Sequence, residues 1–195
     1  KKVRGIAKFL VKEFEPEFRM YMTPINIDPE KPNLPVSAPL SFSVILSKLY
    51  GPFSTLGLSE DTWALNERVI DEQDFLQQAY DIFEDRKRHF FDSLSKNRDG
   101  LVVSVFDTTD RIQHMFFRYL DKDHPALKAC PSEKSCQVLE DLYKTMDDLA
   151  GRVLAKMDKN SALAIMSDHG FKSFRRGFNL NSWLFRNGYL HLKDG

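Results

Sequence analysis

The chain has 195 residues, enough for one large domain or about one and a half ordinary ones. Its hydrophobic content of 42% allows a substantial core, and 28 basic and 28 acidic side chains give a net charge of zero. A neutral chain without an apolar run of about 18 residues offers no basis for nucleic-acid binding or for a membrane-spanning helix, and we expect neither.

The first 38 residues combine extended segments with a proline-rich loop. Apolar and polar side chains alternate between residues 4 and 27, most clearly in EFRMYMTPINI, and Glu15-Pro16 marks a turn between two segments. We therefore predict an N-terminal β-hairpin. The following IDPEKPNLPVSAP contains four prolines, which disfavour strand pairing.

Residues 39–195 alternate between helical and strand-like segments. Apolar side chains that recur every three or four residues predict helices over about residues 39–49, 71–95, 109–120, 131–157 and 179–187. Asp61 is a candidate N-cap of a further turn, and Gly188 is the candidate C′ residue of the last helix. The predicted strands are Leu101–Phe106, Ala162–Met166 and Tyr189–Leu192.

Between residues 101 and 167 the predicted order is strand, helix, helix, strand. Such a unit normally forms a right-handed crossover between parallel strands. Its strands are short and apolar, as in sheets that are buried on both faces. The sequence therefore predicts an α/β sandwich with a mostly parallel central sheet flanked by helices, and a hairpin beside it.

Each of these two strands is followed by an aspartate and a histidine. Asp110 and His114 are four residues apart, so a helical turn would place them on one face. Asp168 and His169 are adjacent, and Gly170 gives the backbone the freedom to turn both inward. Ligand sites in parallel sheets lie at the carboxyl ends of the strands. Neighbouring strands in a sheet are about 5 Å apart. We therefore expect the four side chains to converge.

Mixed Asp and His ligation suits zinc or another first-row divalent ion. The four side chains could hold one structural ion, or belong to two sites about 4 Å apart, the arrangement used for phosphoryl transfer. The structural alternative is that Asp110 caps its helix, His114 packs in a core and Asp168 forms an Asx turn. Their positions at matching ends of one crossover favour the metal site.

Several motifs are similar to those of a known family. FDTTDRIQH with the following MFFRYLD, and later MSDHGF, resemble the metal-binding motifs of the type I phosphodiesterase/nucleotide pyrophosphatase family in the alkaline phosphatase superfamily. MYMTPINIDPEKP, LGLSEDTWALNE and NLNSWLFRNGYL extend the resemblance over nearly the whole chain. It implies an alkaline-phosphatase-like fold and a hydrolase that cleaves phosphodiester or pyrophosphate bonds of small, nucleotide-like phosphate esters.

The resemblance also implies roles for individual residues. Asp110 and His114 would bind one divalent metal ion, and Asp168 and His169 a second, with zinc as the expected metal. A Thr or Ser nucleophile would bridge the ions and form a covalent phospho-enzyme that water hydrolyses. The alternatives are a phosphomonoesterase, phosphomutase or phosphotransferase of the same superfamily, or a non-catalytic α/β module.

The nucleophile and the remaining ligands of the family have no counterpart at the motif positions of this chain. Thr108 and Thr109 do not match the position of the nucleophile and are expected to cap the following helix or turn, and Asp107 is expected to hold a metal ligand in place or to be structural. We therefore expect residues 1–195 to be part of a single catalytic domain that has further segments upstream and downstream, with residues 1–38 as hairpin and loop and 39–195 as α/β core. Alone, the chain is expected to have little or no activity.

Two other groups of residues each admit two interpretations. Arg118, Arg175 and Arg176 could meet the charge of a phosphate or lie solvated at the surface. Cys130 and Cys136 could form a local disulfide or remain free thiols, and they are too few for a typical zinc site.

Overall fold

The computed structural model describes residues 3–57, 59–125, 127 and 133–193. The chain divides into two compact units, Lys1–Met115 and Phe116–Gly195. The first unit holds β1 (Gly5–Ile6), β2 (Phe9–Glu13), β3 (Arg19–Met22), β4 (Asn26–Ile27), α1 (Ser41–Tyr50), α2 (Thr62–Asn66), α3 (Glu72–Lys96) and most of α4 (Thr108–Phe116). The second unit holds a 3₁₀ helix (Phe117–Leu120), α5 (Glu133–Leu154) and α6 (Leu180–Arg186).

The predicted N-terminal hairpin is confirmed. β2 and β3 pair antiparallel with Leu10 opposite Tyr21, and the register shifts between Val11 and Glu13. β1 and β4 form a second antiparallel pair outside the hairpin. The alternating side chains of the first 27 residues therefore correspond to two short sheets.

Side chains cap the starts of α2 and α3, where backbone N–H groups lack helical partners. Asp61 accepts a hydrogen bond of 2.9 Å from the backbone N–H of Ala64, which confirms it as the N-cap of α2. Asp71 and Asp74 form a capping box at the start of α3, each carboxylate accepting from the other residue's backbone N–H. Lys12 pairs with both carboxylates and so ties β2 to α3.

One face of α3 supplies the core of the first unit. Phe75, Ala79, Ile82 and Phe83 are at most 4% exposed and follow the helical spacing that the sequence predicts. Phe106 packs against Phe83 with 5.7 Å between the ring centroids. This contact anchors the segment that leads into α4.

α5 is the long helix of the second unit. Its inward face consists of Val138, Leu139, Leu142, Leu149 and Val153, all at most 8% exposed. The 3₁₀ helix contacts α5. Neither α5 nor any other helix in the described part of the chain is long and apolar enough to cross a membrane.

The predicted ends of α6 are confirmed. The Asn179 side chain accepts a hydrogen bond of 2.8 Å from the Ser182 N–H at the N-cap. Gly188 follows the helix with a φ of 76°, a left-handed conformation that favours glycine. The sequence left open whether Cys136 of α5 is a free thiol or part of a disulfide, and the structure shows it to be disulfide-bonded. Cys130 lies outside the described residues.

The three predicted strands of the α/β core do not form regular strands. Residues 101–106, 162–166 and 189–192 have no regular secondary structure, and the sheets of the described residues are two small antiparallel pairs. The described residues thus form a mixed arrangement of helices with these small sheets, and the mostly parallel central sheet stays a prediction. The physical reason for the missing strands is that a strand needs a hydrogen-bonded neighbour. Leu101 and Met166 are 87% and 90% exposed, so these apolar side chains contribute little burial that would hold the segments in place.

Candidate metal-binding site

α4 carries Asp110 and His114 on one face, and the fully buried Ile112 orients the helix from the other side. Asp110 Oδ1 lies 3.3 Å from His114 Nε2, as expected for residues four apart in a helix. The side chain of His114 is 53% exposed, so it does not pack in an apolar core. α4 begins at Thr108, which places Asp110 within the first turn and excludes it as the N-cap.

Two ion pairs surround the first turn of α4. Arg111 Nη2 lies 3.0 Å from Asp110 Oδ2. Arg86 of α3 pairs with Asp107, the residue that precedes the helix. The four side chains are 19–23% exposed. Because partly buried pairs are screened less by water than exposed ones, these contacts fix the start of α4 and the Asp110 carboxylate.

Glu60 adds a buried carboxylate to this group of charges. It is 3% exposed, and neither carboxylate oxygen has a hydrogen-bond partner among the described residues. Burial lowers the pKa of Arg86, attraction to Glu60 opposes the shift, and repulsion from Arg111 adds to it. Arginine nevertheless stays protonated in proteins, so Arg86 supplies a permanent positive charge to both Glu60 and Asp107. We call Glu60, Arg86, Asp107, Asp110 and Arg111 the α4 charge network.

Among the described residues neither threonine hydroxyl caps the start of α4, so the helix cap was wrong, whereas the bond of Thr109 within the preceding turn fits the turn alternative. A capping hydroxyl accepts from a backbone N–H. Thr109 Oγ1 instead donates to the Phe106 carbonyl at 3.3 Å, and Thr108 Oγ1 is buried without a hydrogen-bond partner in the described residues. Burial also excludes Thr108 as an exposed nucleophile, and the pairing of Asp107 with Arg86 gives Asp107 the structural role expected of it.

Asp168 and His169 lie in an irregular segment of the second unit. Asp168 Oδ2 and His169 Nε2 are 3.7 Å apart, and their side chains are 89% and 53% exposed. Asp168 Oδ1 also accepts from the His169 N–H at 3.1 Å, a bond to the next residue and not, as in an Asx turn, to the residue two positions on. His169 Nδ1 lies 3.2 Å from the Gly170 carbonyl. A proton on Nδ1 would complete that bond and leave the lone pair of Nε2 for a metal ion.

Two of the arginines that the sequence offered for phosphate binding are engaged by protein groups. Arg175 donates to both carboxylate oxygens of Asp121, at 2.8 and 2.7 Å. Arg118 lies over the ring of Tyr119, with its guanidinium carbon 4.9 Å from the ring centroid. Arg176 is exposed. For Arg175 the structure therefore shows a role that neither interpretation described. Its guanidinium pairs with a carboxylate in its own unit.

The structure brings together the members of each Asp–His pair, one pair in each unit. Each pair offers a carboxylate and an imidazole, donor types that suit zinc, which takes about four ligands. Among the described residues, no group of three or more His, Cys, Asp or Glu side chains is placed to hold a metal ion. Each pair is therefore a partial ligand set with fitting chemistry.

Most of the α4 charge network and the partner of Arg175 have no signature in the sequence. Arg111 could have been noticed because it directly follows Asp110. Glu60 and Arg86 carry no local signal, since they reach α4 only through folding.

Comparison with known proteins gives one family match. The family model described as type I phosphodiesterase/nucleotide pyrophosphatase matches residues 12–195. No curated protein and no solved structure matches the chain. The matched range begins within β2 and includes the α4 charge network and both Asp–His pairs.

Proposed function

The chain belongs to the type I phosphodiesterase/nucleotide pyrophosphatase family, and from this premise we propose that it is part of a two-metal hydrolase for phosphodiester or pyrophosphate bonds of nucleotide-like substrates. The family implies a hydrolase of the phosphodiesterase or pyrophosphatase type and is generally metal-dependent. The observation that carries the proposal is the occurrence of two accessible Asp–His pairs inside the matched range.

We assign Asp110 and His114 to one divalent ion and Asp168 and His169 to a second, with zinc as the expected metal. The donor types and the accessibility of both imidazoles support the assignment. Bound ions would polarise the phosphoryl oxygens and stabilise the charge that develops on the leaving oxygen.

The side chains of this chain would orient the ligands. Arg111 holds the carboxylate of Asp110, and Asp110 in turn lies against the imidazole of His114. In the proposed reaction a Thr or Ser hydroxyl, not identified in this chain, attacks phosphorus and displaces the leaving alcohol or phosphate. Water then cleaves the phospho-enzyme, which releases the phosphoryl product and restores the hydroxyl.

We further propose that residues 1–195 are part of a single alkaline-phosphatase-like catalytic domain, in which segments 101–106 and 162–166 pair with strands from elsewhere in the protein. The exposure of their apolar side chains supports this, because strands of a buried parallel sheet are apolar on both faces. Val105 is 75% exposed, so Val105→Asp should leave the stability of the 195-residue chain within about 0.5 kcal/mol. In the full-length gene product the same change should lower the melting temperature by several degrees, and equal small effects in both would contradict the proposal.

The function is tested on the full-length gene product by its zinc content and its turnover of a chromogenic phosphodiester and the matching monoester. The proposal expects bound zinc and a clear preference for the diester. A preference for the monoester would assign the protein to the phosphomonoesterase alternative. Absence of both metal and turnover would leave the non-catalytic module.

A further inference from the structure

Residues 170–177, which follow His169, have no regular secondary structure, yet several contacts hold them. The strongest is the ion pair between Arg175 and Asp121, which are 54 residues apart in the sequence. Nε and Nη2 of Arg175 donate to different carboxylate oxygens at 2.8 and 2.7 Å. A two-bond arrangement of this kind fixes the orientation of both groups as well as their distance.

The carboxylate of Asp121 is itself held in place. It accepts from the Asp123 N–H at 3.2 Å, and its side chain is only 13% exposed. Hydrogen bonding to Arg175, with a further contribution from Ser173, lowers the pKa of Asp121 to about 2. Asp121 is therefore an ionised anchor, placed directly after the 3₁₀ helix.

Further contacts extend from this ion pair to His169. His124 Nε2 lies 2.8 Å from the Phe174 carbonyl oxygen. The ring of Phe117, in the 3₁₀ helix, lies 5.9 Å from that of Phe171, and Phe171 lies 5.5 Å from the imidazole of His169. The segment after His169 is thus attached to the segment 117–124 at three points.

We propose that Asp121 and Arg175 are positioning residues for the Asp168–His169 pair. Their ion pair holds residues 170–175 against segment 117–124, and Phe171 passes this restraint to the imidazole of His169. The inference rests on the proposed function, in which His169 binds a metal ion. It also limits what Arg175 could offer a phosphate to its remaining N–H donors, because Nε and Nη2 already donate to Asp121.

A purely structural ion pair and a positioning ion pair differ in the property that is lost when the pair is removed: global stability in the first case, and the order of the ligand segment in the second. Arg175 is half exposed, and ion pairs with exposed partners add little to global stability. Loss of the pair should therefore leave the urea midpoint of unfolding almost unchanged. It should loosen the segment around His169, and so weaken metal binding there.

The experiment uses the full-length gene product and five variants: Arg175→Ala, Asp121→Asn, the charge-reversed double variant Asp121→Arg/Arg175→Asp, His169→Ala and Arg176→Ala. The last is the matched control, since Arg176 is the exposed neighbouring arginine. Hydrogen exchange of the amides of residues 167–176 is measured on metal-free protein. Zinc affinity is measured by titration against a competing chelator.

Each single variant at the ion pair should exchange faster in residues 167–176 and bind zinc about tenfold more weakly, the usual size of an effect from a group that orients a ligand. The charge-reversed variant should recover part of both losses, and Arg176→Ala should change neither.

Unchanged exchange in both single variants would show that the pair restrains nothing and overturn the inference. Faster exchange with unchanged zinc affinity would overturn the positioning role, provided that His169→Ala does weaken zinc binding. If His169→Ala leaves zinc affinity unchanged, the proposed function itself fails, and the positioning role fails with it.

Discussion

Asp110 and His114 lie on a helix, whereas Asp168 and His169 lie in an irregular segment. The helix fixes the first pair through its own backbone, and the ion pairs at its first turn are about four-fifths buried. The second pair is more exposed, and its segment is held mainly by contacts from residues about 50 positions earlier in the sequence.

The difference shows two ways of placing the same donor types. In α4, Arg111 holds the Asp110 carboxylate and Arg86 holds the residue before the helix, and both arginines are about four-fifths buried, so stability and site geometry are coupled. In the second unit, an ion pair whose arginine is half exposed is proposed to restrain the segment with little effect on global stability. Variants can therefore distinguish a pair whose supporting contacts also stabilise the fold from a pair whose supporting contacts do not.

The largest expected effect comes from the ligands themselves. Asp110→Ala and His169→Ala should each lower kcat/KM for a phosphodiester by about a thousandfold or more, because metal ions stabilise the transition state by several kcal/mol. Both pairs should be equally necessary despite their different surroundings. Turnover is measured on the full-length gene product at fixed, moderate zinc concentration.

Asp99→Ala and His191→Ala are the matched controls, because both side chains are exposed and outside the proposed site. They should retain near-normal activity. Near-normal activity in Asp110→Ala or His169→Ala would instead refute the ligand assignment.

The second effect is on stability and should distinguish the two units. Arg86→Ala leaves the carboxylate of Asp107 about four-fifths buried without its partner, and we expect a loss of about 3 kcal/mol in the free energy of unfolding. Arg175→Ala and the exposed Arg98→Ala should lose far less. Urea unfolding at pH 7 measures all three, and similar losses in Arg86→Ala and Arg98→Ala would show that the α4 charge network does not stabilise the fold.

A smaller effect concerns mild acid and the first unit. Burial lowers the pKa of His89, whose ring lies edge-on to Phe53 at 4.6 Å; Asp85 and Asp92 oppose the shift and Arg88 adds to it. The unfolded chain therefore takes up this proton first, and stability should fall as pH drops below about 6.5, by at most about 1.4 kcal/mol per pH unit.

His89→Phe should flatten this part of the pH profile, because phenylalanine does not titrate. Urea midpoints at pH 7.5 and 5.5 provide the comparison. The same decrease in the variant and in the original protein would assign the acid sensitivity to other groups.

The smallest effect is expected in the second unit at strongly acidic pH. The folded pKa of Asp121 is about 2, below its ordinary value of 3.8, so the stabilising contribution of its ion pair is present above about pH 4. It is lost as pH falls through 2. The protection from hydrogen exchange that this pair gives residues 170–175 should therefore be the same throughout pH 4 to 8, and a transition in that protection near pH 6 that Asp121→Asn abolishes would contradict this.

Local signals in the sequence were sufficient to predict the helices and to predict which Asp and His side chains lie next to each other. The caps at Asp61, Asp71 and Asn179 depend on residues within three positions, and the spacing of Asp110 and His114 becomes a shared helix face as soon as α4 forms. The motifs around both pairs also identified the family over nearly the whole chain.

Tertiary structure decided which charges meet and which apolar segments become strands. Glu60 and Arg86 reach α4, and Asp121 reaches Arg175, across tens of residues, and no periodicity encodes such pairs. The segment Leu101–Phe106 has the composition of a strand but no sheet partner among the described residues. Helices complete their hydrogen bonds within one segment, whereas strands and ion pairs depend on a second segment, and only the fold determines which one it is.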